Sequence, residues 1–501
     1  MMSRKAALFC GVVMLPAAPA GAQERPDLER LVRDQAAALE AQQARIEALE
    51  RRIAQIETAP AAPPAIAAAQ TVPSAPSKAD AQAARRDRLR QLPAGNAALR
   101  PPSDPLTAPS PSQMAQAPDE SFDWAKGLPR ITSSDERFAM RIRGRMSFDT
   151  STTFGSDFAA RNITGTRARS MRLGIEGKAG DHIAYQLEAD FAGNQVEMRG
   201  AYLSLSDTWG GRNYELSLGN RLTDRSLEGA SSSDSLPFLD RSIAALATAP
   251  RKGSFGLGAM ARVFGKNWHA AFQVDGNDIS ENGSISDNVT YTGRVHWNPW
   301  RGQDGLVHLG GWAYREEFVN ALPSASLGQR VGGRFNDLVT VQASSLLEPD
   351  HGQAFGLEAA GVWKSLWVIG EYGERDIWAR ESAGGRHVGV SAGSISAGYY
   401  LTGEKPPYVA RGGTWSKPRV LNSLVEGGAG AIEVAARYDR LSYSGPLGGE
   451  GFAATLGLNW YLIDWVRLAV NAIHWRTENR AGQFVGKDEG DTLIGRVQVS
   501  F

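Results

Sequence analysis

Arg137–Thr150 reads RFAMRIRGRMSFDT, and its period decides the fold. Taken two by two, one side carries Phe138, Met140, Ile142, Gly144, Met146 and Phe148, and the other Ala139, Arg141, Arg143, Arg145, Ser147 and Asp149. A β-strand sends alternate residues to opposite faces, about 7 Å apart along each face. One face therefore requires an apolar neighbour, while the other aligns three guanidinium groups. A soluble sandwich would bury the apolar face and solvate the arginines. A membrane barrel would turn the same face to lipid and the arginines to a wet lumen. This stretch alone does not separate the two, and the soluble sheet is the commoner case.

Composition narrows the choice. The 501 residues hold 54 Lys+Arg and 54 Asp+Glu, so overall charge gives no pull toward nucleic acid. A mean hydropathy of −0.30, with no apolar run of 18 residues beyond the N-terminus, excludes a helical membrane protein but not a barrel whose strands are half apolar. The 55 glycines and 13 tryptophans suit many turns and aromatic girdles.

The N-terminal third has its own texture. Residues 1–22 read as a secretory signal: Arg4 and Lys5, an apolar stretch, then Ala20-Gly21-Ala22. The single cysteine, Cys10, falls inside it, so the exported chain is expected to lack thiols and any chemistry that needs them. Residues 23–58 predict a coiled coil, with Val32, Leu39, Ile46 and Ile53 at a and Leu28, Gln35, Gln42, Leu49 and Ile56 at d. Ile at a with Leu or Ile at d leans away from dimers, and Arg45-Ile46-x-x-Leu49-Glu50 resembles a trimer-favouring motif. The competing reading is one amphipathic helix packed on its own domain. Residues 59–120 form an Ala/Pro-rich linker, expected to be disordered. Within it Arg85, Arg86, Arg88 and Arg90 suggest contact with an anionic cell-envelope polymer, or simple solvation.

From residue 121 onward strands and turns dominate. Met171, Leu173 and Ile175 oppose Arg172, Gly174 and Glu176; Tyr291, Val295 and Trp297 oppose Thr292, Arg294, His296 and Asn298; Val466, Leu468 and Val470 oppose Arg467, Ala469 and Asn471. No segment reads as an amphipathic helix able to cover these apolar faces. Short turns such as Tyr461–Trp465 alternate with longer polar loops, as in outer-membrane barrels. At roughly 10 residues per strand, residues 121–501 provide an all-β, transmembrane antiparallel barrel of about 16 strands, wide enough for an aqueous channel. The chain ends in another alternating strand, LIGRVQVSF, whose terminal Phe501 is similar to the insertion signal that barrel-assembly machinery reads.

From about Phe138 to Phe501 the chain resembles the phosphate-selective porin O and P family. The carrying stretches include Gly219–Ser242 with Pro250-Arg251-Lys252-Gly253, Gly293-Arg294-Val295, Tyr399-Tyr400-Leu401-Thr402-Gly403-Glu404, Glu433–Leu441, Gly457–Leu462 and Arg496–Phe501. The resemblance implies a homotrimeric, 16-stranded porin in the outer-membrane lipid of a Gram-negative bacterium, its coiled coil in the periplasm. It also implies a preference for small anions such as phosphate or polyphosphate, set by lumen arginines and an inward-folded loop. The pathway candidates are Arg141, Arg143, Arg145, Arg294, Arg437 and Arg467; the loop candidates are Arg225, Arg241, Arg251 and Lys252.

One departure stands against strong phosphate selectivity. Residues 121–501 hold 40 Lys+Arg and 41 Asp+Glu, and Asp224, Glu228, Asp234 and Asp240 share the loop with its cations. The lumen arginines could therefore simply pair with Asp149, Glu176, Glu188 and Asp190. Two other functions remain: an envelope-tethering structural barrel, and a general or sugar porin using lumen aromatics such as Tyr461 and Trp367. Catalysis has little support. The seven histidines show no metal-ligand spacing, no phosphate-cradling glycine loop occurs, and neither catalytic residues nor a cofactor is implied.

Overall fold

A computed structural model describes residues 122–123, 130–133 and 135–501, apart from 195, 278, 280–287, 320, 321, 323, 326 and 344. The expected signal peptide, coiled coil and linker lie outside the described residues.

Sixteen long strands follow one another. They are β1 (Phe138–Phe154), β2 (Thr164–Ala179), β3 (Ile183–Asp190), β4 (Glu197–Trp209), β5 (Arg212–Leu222), β6 (Phe255–Phe264), β7 (Trp268–Asp275) and β8 (Val289–Arg301). Then come β9 (Gly305–Glu317), β10 (Pro349–Trp363), β11 (Leu366–Ala379), β12 (His387–Tyr400), β13 (Ala431–Tyr443), β14 (Glu450–Ile463), β15 (Val466–Asn479) and β16 (Gly486–Ser500). Each pairs antiparallel with the next, and β16 pairs back onto β1, from Asp491 opposite Phe154 to Ser500 opposite Arg145. The sheet thus closes and leaves no free edge among its long strands.

The two-residue period holds where it was read. On β1, Phe138, Ile142, Met146 and Phe148 are exposed on the outer wall, while Arg145, Ser147 and Asp149 are buried inside. On β8, Tyr291, Val295 and Trp297 face out, and Thr292, Arg294, His296 and Asn298 face in. Gly144 interrupts the outer face of β1 for a reason. Its amide and carbonyl each bond Phe501 at 3.0 Å, and a Cβ there would lie 2.4 Å from the Phe501 ring. The last residue therefore closes the barrel by lying across the one gap in the first strand's apolar face.

The connections follow the expected asymmetry with one exception. Residues 180–182, 210–211, 265–267, 302–304, 364–365 and 464–465 make short turns at one end, and longer loops join strands at the other. Between β12 and β13, however, the turn end carries residues 401–430. This segment, here called the strap, folds into the lumen instead of turning back. A loop from the opposite end, residues 223–254, also folds inward and carries two short helices, α1 (Leu227–Ala230) and α2 (Ile243–Ala247).

These insertions create an apolar core inside the barrel. Leu227, Leu236 and Phe238 of the loop pack with Trp367, Tyr400, Tyr461 and the strap's Trp415. Ile243, Ala244 and Ala247 pack with Val339, Ile377 and Trp475. The sequence supplies this by placing apolar residues on the inner faces of β10–β16. The inner faces of β1–β6 are more polar, with Arg145, Glu176, Lys178, Glu188, Ser204 and Arg221 buried there.

Candidate functional site

The inward loop is held by arginines whose targets are backbone carbonyls. Arg437 donates to Asp240 O at 2.9 Å, and Arg467 to Leu236 O and Pro237 O at 2.7 and 2.6 Å. Arg496 donates to Leu239 O at 3.0 Å while gripping both oxygens of Asp149 at 2.6 and 2.9 Å. Ser226 and Ser242 cap the two helices, accepting from Gly229 N and Ala245 N. Arg225 stays within the fold, donating to Thr248 Oγ1 and Ala245 O and lying 4.6 Å from the Trp312 ring centroid. Beneath α1, Glu228 meets Glu371 of β11, whose Oε1 accepts from Glu228 N at 3.0 Å. Burial, reinforced by Glu371 and Asp439 against Arg437, pushes the Glu228 carboxyl up to about 7.

Between the loop and the β1–β6 wall lies a chamber of about 530 Å³. Its cations are Arg145, Arg169, Arg172, Arg199 and Lys252 on one side, and Arg241, Arg251, Arg330, Arg334 and Arg375 on the other. No carboxylate lines it. Six of these cations are balanced from behind. Arg145 pairs with Asp234 at 2.5 Å, Arg172 with Glu188 and Asp190, Arg375 with Glu316, Arg330 with Asp337, and Arg199 and Lys252 with Glu197 and Asp275. Among the described residues Arg169, Arg241, Arg251 and Arg334 form no guanidinium–carboxylate ion pair, although the backbone amides of Arg251 and Arg334 donate to Glu316 Oε2 and Asp240 Oδ2 at 2.8 and 2.9 Å. Arg241 spends its donors on Glu228 O and Ser231 O, and burial, with Arg334 beside it, pulls it down to about 10.

A narrower cavity of about 80 Å³ adjoins this chamber, sharing Arg145, Arg172 and Ser232. Arg143, Arg221, Arg262 and Tyr202 line it, with Glu188, Asp224 and the strap's Gly412 and Thr414. The strap is fixed to both sides. Arg294 donates to Gly412 O and Gly413 O, and His296 Nε2 bonds Ala410 O at 3.0 Å. On the other side Trp415 N donates to Ser231 Oγ of the loop at 2.7 Å, and Lys417 sits 3.4 Å from Asp234.

The expected pathway residues therefore separate into two groups. Arg141, Arg143 and Arg145 climb one inner face from the turn end toward the chamber, each with a carboxylate partner: Glu176 for the first two, Glu188 also for Arg143, and Asp234 for Arg145. Arg294, Arg437 and Arg467 are buried against the strap or the loop, lining neither the chamber nor the narrower cavity. Of the loop candidates, Arg241, Arg251 and Lys252 reach the chamber and Arg225 does not. Tyr461 and Trp367 are packed into the core, so they present no aromatic track.

Sequence reading missed Arg169 for a specific reason. Ser147 pairs with Ser170 but Phe148 with Ala168, so Arg169 is an inserted, bulged residue that breaks the alternation. The register slip turns a nominally outward position toward the lumen. Arg330 ends a short strand, Gly328–Arg330, and Arg334 follows it, both within residues 318–348, whose sequence carries no long alternation to assign them a face.

A closed 16-stranded barrel with a charged, loop-narrowed lumen is the architecture of a porin, and the sequence agrees. The profile of Phosphate-selective porin O and P matches residues 140–501. The chain belongs to that family. An uncharacterized protein of Caulobacter vibrioides is 27% identical to this porin over 410 residues, covering 76% of this chain and 77% of its own. Among solved structures, OmpT of Vibrio cholerae aligns at 11% identity and a TM-score of 0.47, covering 74% of this porin and all of that chain. The channel DcaP of Acinetobacter baumannii aligns at 11% and 0.44, covering 74% and 99%. An anion-selective porin from Comamonas acidovorans aligns at 13% and 0.43, covering 73% and 100%.

Proposed function

We propose that this outer-membrane porin is a passive diffusion channel for small hydrophilic solutes that favours anions of the phosphate type. One observation carries the reading: Arg169, Arg241, Arg251 and Arg334 surround a chamber that no described carboxylate lines, and their guanidinium groups form no ion pair among the described residues, with Asp240 beside Arg334 offsetting part of that charge from outside the chamber. The near-equal charge tally of the barrel does not oppose it, because tallies ignore position. The carboxylates stand behind the cations or under the loop, and the surplus positive charge faces the water. Guanidinium suits phosphate because its planar fork donates paired hydrogen bonds and stays charged. A unit pair at 4 Å is worth about 1 kcal/mol in bulk water and about 4 kcal/mol at an effective dielectric of 20. Passage requires the weaker regime, since a tight site would hold its ion. Arg141, Arg143 and Arg145 extend the same bias toward the turn end, weakened by their partners.

Zero-current potentials of the full-length channel across planar bilayers, under a chloride gradient, test this. Anion preference is expected, with phosphate reducing chloride current; cation preference overturns the reading. We further infer a homotrimer exported by residues 1–22, with the coiled coil of residues 23–58 and the linker of 59–120 on the periplasmic side. The heptad pattern supports it. Removing residues 23–120 should leave conductance intact while altering assembly or envelope attachment.

A further inference from the structure

The strap is anchored to the wall through three histidines that the anion pathway does not use. His269 of β7, His296 of β8 and His308 of β9 are each fully buried and form one stack, with ring centroids 4.8 and 5.1 Å apart. Phe264 closes the stack beyond His269. Gly413 of the strap passes against it with φ near +59°, where a Cβ would lie 2.7 Å from His296 Nδ1.

Hydrogen-bond partners fix how many protons the first two rings hold. His269 Nε2 lies 2.9 Å from Asp224 Oδ2 of the inward loop, and His296 Nε2 lies 3.0 Å from Ala410 O of the strap. A carboxylate and a carbonyl only accept, so both Nε2 atoms must carry hydrogen. The two Nδ1 atoms face each other at 2.7 Å, which requires a third hydrogen between them. Four nitrogens thus share three protons, whereas two neutral imidazoles bring only two. The pair carries one positive charge. Asp224 matches it: burial alone would raise this carboxyl, but His269 and Arg294 hold it well below the ordinary range.

His308 differs. Its Nε2 faces Glu358 Oε1 at 3.2 Å and its Nδ1 meets the Tyr408 hydroxyl of the strap at 2.6 Å. That hydroxyl also accepts from Asn298, and burial pushes the Tyr408 phenol up, so it keeps its own hydrogen. The other charged groups around the pair are Arg294 on β8, Glu358 on β10, Arg262 on β6 at 3.8 Å from Asp224, and Arg411 of the strap, 4.3 Å from the Phe264 ring centroid.

We propose that the single proton shared by His269 and His296 latches the strap across the turn end of the channel, and that losing it frees the strap and widens the path. Without that proton either the two Nδ1 lone pairs face each other, or an unprotonated Nε2 faces Asp224 or Ala410 O. One link in the chain from inward loop to strap becomes repulsive in every arrangement. Gly412 and Thr414, next along the strap, line the narrow cavity, so their movement acts directly on the pathway. The latch holds at low pH and opens as pH rises through the pair's titration.

This rests on the chain being a water-filled channel and not on its anion preference. Single-channel conductance of the full-length protein is followed from about pH 5 to about pH 9. A Glu228→Gln background removes the inward loop's own titration. Conductance should rise on the order of twofold with pH in that background, since a narrow segment governs the current. His269→Gln, or His296→Gln should the first fail to assemble, should hold the high value at every pH, and His308→Gln should keep the pH dependence. A flat background, or an unchanged pH dependence in both His269→Gln and His296→Gln, overturns the latch. Zero-current potentials on the same channels report anion preference separately, so either reading can fall while the other stands.

Discussion

At the scale of single residues, lumen arginines divide by what their guanidinium groups touch. Arg467 spends its donors on Leu236 O, Pro237 O and Asn459 Oδ1, so it fastens the loop. Arg141 is about half exposed but sits on Glu176, which cancels most of its field at a distance. Arg334 forms no guanidinium ion pair among the described residues, though its amide donates to Asp240 Oδ2 at 2.9 Å, and it lines the chamber. Arg334→Gln should therefore reduce the anion-to-cation permeability ratio several-fold, as expected for losing about 1 kcal/mol of attraction. Arg141→Gln should leave the ratio within error. Equal effects of the two substitutions in zero-current measurements would contradict this division. Parity along a strand tells which face a side chain takes but not whom it meets there. That is why the lumen position of Arg141 was legible in the sequence, while its pairing with Glu176 stands there only as one of two readings.

At the scale of elements, what was legible followed from period two. The alternating strands and short turns could be read because each strand must satisfy lipid on one face and water or protein on the other; the count of about sixteen comes from length, and the inward loop only from the family resemblance. The strap could not. Its start, Leu401–Pro406, is legible only as part of a family motif, and its strand-poor sequence does not say which end of the barrel it occupies. Its place follows only from counting strands. Two predictions belong here. Gly144→Val puts branched carbon where the Phe501 ring already lies, an overpacking that should cost about 1–3 kcal/mol. The temperature at which the folded barrel loses its compact gel mobility should fall, and an unchanged midpoint would sink the proposed closure by Phe501. The second concerns Glu228 under α1. Its carboxyl is raised from 4.5 to about 7, so the protonated form is the one the fold favours. Its stabilising contribution is complete below about 4.5 and is lost as pH rises through about 7. Hydrogen exchange across residues 227–247 should accelerate over that window in the wild type and much less in Glu228→Gln. Equal acceleration in both would remove Glu228 as the cause.

At the scale of the whole molecule, the barrel resolves two conflicting readings of one composition. Its charges nearly cancel in number, yet the apolar core lies largely against β10–β16, while the chamber opens mainly along β1–β6 with Arg375, Ile377 and Tyr443 reaching it from β11 and β13. The sum of charges was legible in the sequence, but their segregation depends on which segments fold inward. The segregation has a measurable consequence in salt. Fields in open water are screened over about 10 Å at 0.1 M and about 3 Å at 1 M. If four unpaired arginines act across a chamber of about 530 Å³, whose breadth exceeds the shorter length, their influence should weaken as salt rises. Anion preference should therefore be strong near 0.1 M chloride and decline markedly toward 1 M. Replacing Arg169, Arg241, Arg251 and Arg334 together should flatten that dependence, because the remaining cations carry their own counter-charges. A preference that persists unchanged at high salt would instead place selection in the narrow cavity, where Arg143, Arg221 and Arg262 stand too close to the ion for salt to intervene.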